Sequence, residues 1–146
     1  MKILPILTLS MLLIAAATPV AAAPTSVALA TFGDDEQAEQ SALTNEDFSS
    51  TGPAGGRVTM AVSQALDAAG ITVVADDQAD AVLHGTVTAA WVNPEALPTN
   101  SVSAHYLLMD KASGTLLIEG NASATGFNDQ DAATDLGKHI ARKIGQ

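Results

Sequence analysis

Residues 71–92 read ITVVADDQADAVLHGTVTAAWV, and the fold turns on how they are divided. The short β-branched run at 71–75 reads as a buried strand, and the acidic stretch 76–80 that follows reads as a connection. From 81 to 92 the pattern changes to strict alternation. Leu83, Val87, Ala89 and Trp91 fall on one face and His84, Thr86 and Thr88 on the other, the signature of a long half-buried strand. Upstream, Val58, Val62, Ala65, Leu66 and Ala69 recur at three- and four-residue spacing, so 57–69 is a helix, with Gly70 placed for a left-handed C-cap. Before it, VALATF at 27–32 is a further short apolar strand. Strand, helix, strand implies a right-handed crossover between parallel strands. Downstream, 102–109 and 115–123 are strands joined by DKASG at 110–114, a hairpin turn. The chain closes with a helix over 129–144, striped by Ala133, Leu136, Ile140 and Ile144, acidic at its start and basic at its end as the helix dipole favours. The predicted order is β-α-β-β-β-β-α, an α/β (α+β) two-layer sandwich with a mixed five-stranded sheet and both helices on one face. Leu66, Val73, Val87 and Ile140 are its expected core positions.

Two segments stand apart. Residues 1–22 begin with Met1-Lys2, continue as an apolar run to Ala17 and end in small residues after a Thr18-Pro19 break, the layout of a secretory signal peptide. Cleavage after Ala22 or Ala23 suits the small-residue positions. An exported, periplasmic chain of 23–146 forming a single domain is therefore expected. Residues 33–56 hold six acidic and no basic residues and end in TGPAGG, which reads as a flexible acidic loop whose Asp34, Asp35 and Glu36 are only solvated.

Composition narrows the function. The 146 residues carry 16 acidic and 6 basic side chains, a net charge of −10, and only 3% are aromatic. A nucleic-acid binder needs clustered Lys and Arg, or stacking platforms, and has neither here. There is no cysteine, which removes thiolate metal sites, cysteine nucleophiles, disulfides and a lipid-bearing cysteine. His84, His105 and His139 lie on separate elements without HxxxH or HExxH spacing, so no metal site and no cofactor are expected. No GxSxG occurs, and TGPAGG lacks the lysine and hydroxyl of a phosphate loop. The pairs Asp34-Asp35 and Asp76-Asp77 have no apolar pocket implied around them.

Asp80 to Val87 matches an "Asp-apolar-apolar-apolar-x-Gly-Thr-Val" type of third strand, and Leu108 to Leu117 matches a "Leu-apolar-Asp-x-x-x-Gly-x-apolar-apolar" hairpin. With VALATF and the closing amphipathic helix, these segments resemble the amino-terminal domain of TolB, the curli-secretion lipoprotein and the lipoprotein activators of penicillin-binding proteins. That resemblance implies a periplasmic accessory or assembly domain without catalysis. The lipidated cysteine of the lipoprotein families is missing, so no lipid anchor is expected.

The expected function is thus that of an exported, non-enzymatic accessory or binding protein of the bacterial cell envelope, with a protein partner. A small exported hydrolase built on His84, His105 and a nearby Asp is the competing class, and an envelope domain held by an uncleaved signal is the third. A sheet with helices on one face leaves its other face open. His84, Thr86, Thr88, Ser103 and His105 are predicted to line that face, with Trp91, Tyr106 and the 93–101 loop as further contact residues, because Trp and Tyr are favoured interface anchors.

Overall fold

Ala81–Val92 (β4) forms the axis of the sheet, with 12 residues that extend far enough to pair with three other strands. The computed structural model describes residues 23–35, 54–92 and 100–146. The signal-peptide reading of 1–22, most of the acidic segment and most of the 93–101 loop fall outside the described residues. Ser26–Leu29 (β1) lies parallel to β4 along one side, with Val27 opposite Ala81 and Leu29 opposite Leu83. Thr72–Val73 (β3) lies parallel to β1 on its outer side, as the strand-helix-strand reading requires. On the other side of β4, Asn100–Asp110 (β5) and Leu116–Gly126 (β6) continue the sheet as an antiparallel meander. The order is β3-β1-β4-β5-β6. The helices are Ala54–Ala68 (α1) and Asp129–Ile144 (α2).

The architecture is the mixed α+β sandwich that the sequence predicts. Buried side chains from both helices, among them Val58, Val62, Leu66, Leu136 and Ile140, meet Leu83, Val87, Val102, Ala104 and Leu108 from one face of the sheet. Leu66, Val87 and Ile140 are fully buried, whereas Val73 is half-buried because its two-residue strand sits at the sheet edge. Gly70 closes α1 with φ +81°, and Asn128 caps α2 by accepting a 2.8 Å hydrogen bond from the Asp131 N–H.

Four readings are corrected. Gly33–Asp34 (β2) is not loop but a sixth strand, parallel to β4 with Gly33 opposite Thr86. It resumes the path of β1 after a kink at residues 30–32, where Phe32 turns into the core. Ala54 to Gly56 belong to α1, which starts three residues before the predicted boundary. Asp34 is also more than a solvated acid, because its Oδ1 accepts from the Gly55 N–H at 2.8 Å and so caps the first turn of α1. The fourth correction concerns the alternation of β4. A register shift between Val87 and Ala89 inserts one residue, so Ala90 is buried in place of Ala89.

Two glycines permit the close packing. The ring of Phe32 lies against Gly85, where any Cβ would overlap it. Gly137 of α2 lies against Ala61 of α1, and a Cβ there would sit 2.6 Å from the Ala61 carbonyl oxygen. Arg57 and Asp129, both in the first turns of their helices, form a 2.7 Å ion pair, so the helices run side by side in the same direction.

Candidate functional site

Along β5, Val102, Ala104, Tyr106 and Leu108 are buried under the helices, so Ser101, Ser103, His105, Leu107 and Met109 project from the opposite face. Pairing extends each of these into a row across three strands. Thr86, His105 and Asn121 form one row, His84, Leu107 and Glu119 the next, and Ala89, Ser103 and Ser123 a third. At the hairpin end the row is apolar, made of Val82, Met109 and Leu116. Four of the predicted contact residues, His84, Thr86, Ser103 and His105, are thereby brought together on one sheet face, which no element among the described residues covers. Thr88 is the residue inserted by the bulge of β4 and is partly exposed. The Trp91 side chain and residues 93–99 lie outside the described residues.

Tyr106 is not on this face. It is 3% exposed and points toward the helices, above Gly120, where a Cβ would stand 2.8 Å from its hydroxyl oxygen. Burial raises the Tyr106 pKa above the ordinary phenol value. Strand parity accounts for the correction: His105 and Tyr106 are neighbours in sequence and so occupy opposite faces.

The polar groups of the face are tied to one another. His105 Nε2 lies 3.1 Å from Glu119 Oε1, and Ser103 Oγ lies 2.8 Å from Ser123 Oγ. Sequence reasoning named neither Glu119 nor Ser123, and Asn121 completes the same surface. The acid beside His105 is therefore Glu119 rather than an Asp, and the Ser103 hydroxyl is engaged by Ser123 rather than by an imidazole. His139 stands elsewhere, on α2, with Nδ1 3.2 Å from the Ser123 carbonyl oxygen. Among the described residues, no three His, Asp or Glu side chains are grouped so as to hold a metal ion, and no helix is long and apolar enough to cross a membrane.

A second concavity, of about 410 Å³, opens between the helices on their outer side, lined by Ala61, Ala65, Ala68, Ala141, Lys138 and Arg142. It lies beside the C-terminal halves of both helices, near their C-terminal ends. The partial negative charge of those ends offsets Lys138 and Arg142.

No protein-family model matches the chain, and no curated protein matches it. Solved structures do. PelC from Paraburkholderia phytofirmans, crystallised as a dodecamer, superposes with a TM-score of 0.62 at 19% identity, covering 85% of this chain and 90% of that one. A Xanthomonas campestris protein of family DUF330 gives 0.55 at 11% identity, over 84% and 81% of the two chains. A minor lipoprotein from Acinetobacter baumannii gives 0.51 at 12% identity, over 83% and 92%. The likeness is one of fold.

Proposed function

We propose that the chain is an exported, non-enzymatic accessory protein of the bacterial cell envelope, working in the periplasm, which binds a protein partner through the uncovered face of its sheet. The observation that carries this reading is the face itself. His84, Thr86, Ser103 and His105 share one side of β4 and β5, with Glu119, Asn121 and Ser123 beside them on β6 and, among the described residues, no helix above them. A broad, mostly polar sheet face suits reception of another protein better than enclosure of a small substrate. The signal-peptide pattern at 1–22 supports export. The shared fold of PelC and the A. baumannii lipoprotein, together with the resemblance to TolB and curli-secretion domains, supports an envelope setting.

The test is photocrosslinking in the exporting cell from Thr86 and Ser103, with Gln64 on the outer face of α1 as the control. The reading predicts one shared product from the two sheet positions and none from Gln64. Products from Gln64 alone would move the interface to the helices and overturn it. The competing hydrolase is separated by a His84→Ala, His105→Ala double variant. Under the binding reading this variant folds and gives a weaker crosslink, because two contact side chains are gone, whereas loss of a measured turnover in it would establish an enzyme instead. Mass spectrometry of protein released from the periplasm checks export, with an N-terminus at Ala23 or Pro24 expected.

A further inference from the structure

β6 is the last strand of the sheet, and its outer edge meets no other strand among the described residues. Edges of this length are normally blunted by Lys or Pro, but LLIEGNASATG contains neither, and Glu119 is its only charge. Ser103 and Ser123 face each other closely enough for their hydroxyls to meet at 2.8 Å, and the Ser123 carbonyl points away from β5 to accept from His139. Ser123 therefore belongs to the set whose N–H and C=O point outward, and by alternation so do Glu119, Asn121 and Thr125. Leu116 and Leu117 lie at the start of the strand, and Phe127, 81% exposed, lies just past its end. With Met60, these are the exposed large apolar side chains of the described residues.

We infer that this edge pairs with the same edge of a second copy, antiparallel about a two-fold axis at Ala122. The sheets of the two copies would then join into one, with the helices on a common side. This geometry is restrictive. Directly opposed residues must point to the same face, so only registers in which Ala122 or another single residue meets itself are allowed. With Ala122 on the axis, Asn121 opposes Ser123 and Glu119 opposes Thr125 of the second copy, and all four outward-facing residues are paired. Leu117 then lies beside Phe127 of the second copy, with Leu116 next to it, at both ends of the junction. Exposed apolar groups at opposite ends of one strand cannot reach each other within a chain, but a two-fold brings them together.

Charge is consistent with the same arrangement. The two Glu119 side chains stand six residues apart along the junction, about 20 Å, well beyond the screening length. On α2, His139 overhangs the edge, and Asp135 and Lys143 lie four residues to either side of it, hence on the same flank. Antiparallel flanks centred on His139 place Asp135 of each copy toward Lys143 of the other. The His139 contact with Ser123 gives way to a backbone N–H from the second copy.

The absence of cysteine makes the register directly readable. In the exported chain, Ala122→Cys puts the introduced thiol opposite itself in a pair whose backbone groups face inward, where Cα atoms are about 4.5 Å apart and a disulfide can close. Asn121→Cys places its thiols too far apart. The expected results are a dimer by sedimentation at micromolar concentration, oxidative crosslinking of Ala122→Cys but not of Asn121→Cys, and a dissociation constant raised about tenfold or more by Phe127→Asp. Phe127 is so exposed that its replacement leaves folding intact, and circular dichroism verifies this. A wild-type monomer, crosslinking at Asn121 in place of Ala122, or a dimer indifferent to Phe127→Asp would each overturn the inference.

Discussion

The contact between Phe32 and Gly85 joins the kink of the first strand path to the centre of the sheet, and it depends on a missing side chain. A Cβ on Gly85 would overlap the Phe32 ring, which is itself buried and hemmed in by α1. Gly85→Ala is therefore expected to destabilise the fold by about 1–3 kcal/mol, the usual range for overpacking. In a Phe32→Leu background the same substitution should cost less, because the ring tip is gone. Urea titration of the four proteins checks this, and equal costs in both backgrounds would mean that the two residues do not interact. Asp34 gives a second residue-scale expectation. Its carboxylate accepts from the Gly55 N–H, so Asp34→Ala should cost about 0.5–2 kcal/mol, as cap removal does. Asp34→Asn should retain most of that stability. The cap was invisible in the sequence because 21 residues separate the two groups and most of the intervening segment carries no periodicity. By contrast, the Gly70 cap and the Asp110–Gly114 turn were legible, since each is closed within a few residues.

At the scale of elements, local signals predicted what is local. α2 occupies the expected residues 129–144, because its apolar stripe, its Asn128 cap and its charge order all coincide. The hairpin is as expected too. Asp110 accepts from the Ser113 hydroxyl at 2.7 Å and the Ser113 N–H at 2.9 Å, while Gly114 takes φ +68°. Register was not legible. Counting back from the turn without interruption pairs His105 with Gly120 and would turn glycine and alanines onto the open face. One extra residue at Leu117 moves the partner to Asn121, and so presents Glu119, Asn121 and Ser123 instead. A single bulge thus decides the chemistry of the surface, and no residue pattern announces it. The hairpin also carries a pH dependence. The Ser113 hydroxyl, then the Ser113 N–H, hold the Asp110 carboxyl below the ordinary carboxylate range. A carboxylate whose pKa is lower folded than unfolded stabilises the fold above its unfolded value, and that contribution disappears as pH falls through the folded value. Urea midpoints followed from about pH 5 to about pH 2 should fall more steeply for the wild type than for Asp110→Asn. Parallel slopes would show that the turn carboxylate does not contribute.

Across the whole molecule, charge separates two surfaces that the sheet presents side by side. The chain carries a net charge of −10, and Arg57 and Lys111, among its few cations, are already paired with Asp129 and Asp76. Two such copies repel each other over distances of about 8 Å at physiological ionic strength, so added salt should strengthen association through the β6 edge, whose junction is apolar and backbone-mediated. A basic partner docking on the polar face is steered by the same charge in the opposite sense, and its association should slow as salt rises. Crosslinking from Thr86, followed as the ionic strength is raised from about 0.05 M to 0.5 M, is therefore expected to lose several-fold in yield, while the dimer fraction stays level or increases. The polar rows of the face are suited to this because their side chains are hydrogen-bonded to each other, as in Ser103–Ser123 and His105–Glu119, so electrostatic guidance outweighs apolar contact there. A Thr86 yield that holds or rises with salt would mean that the partner is recognised through apolar groups. The apolar row of Val82, Met109 and Leu116, rather than the histidine rows, would then be the contact surface.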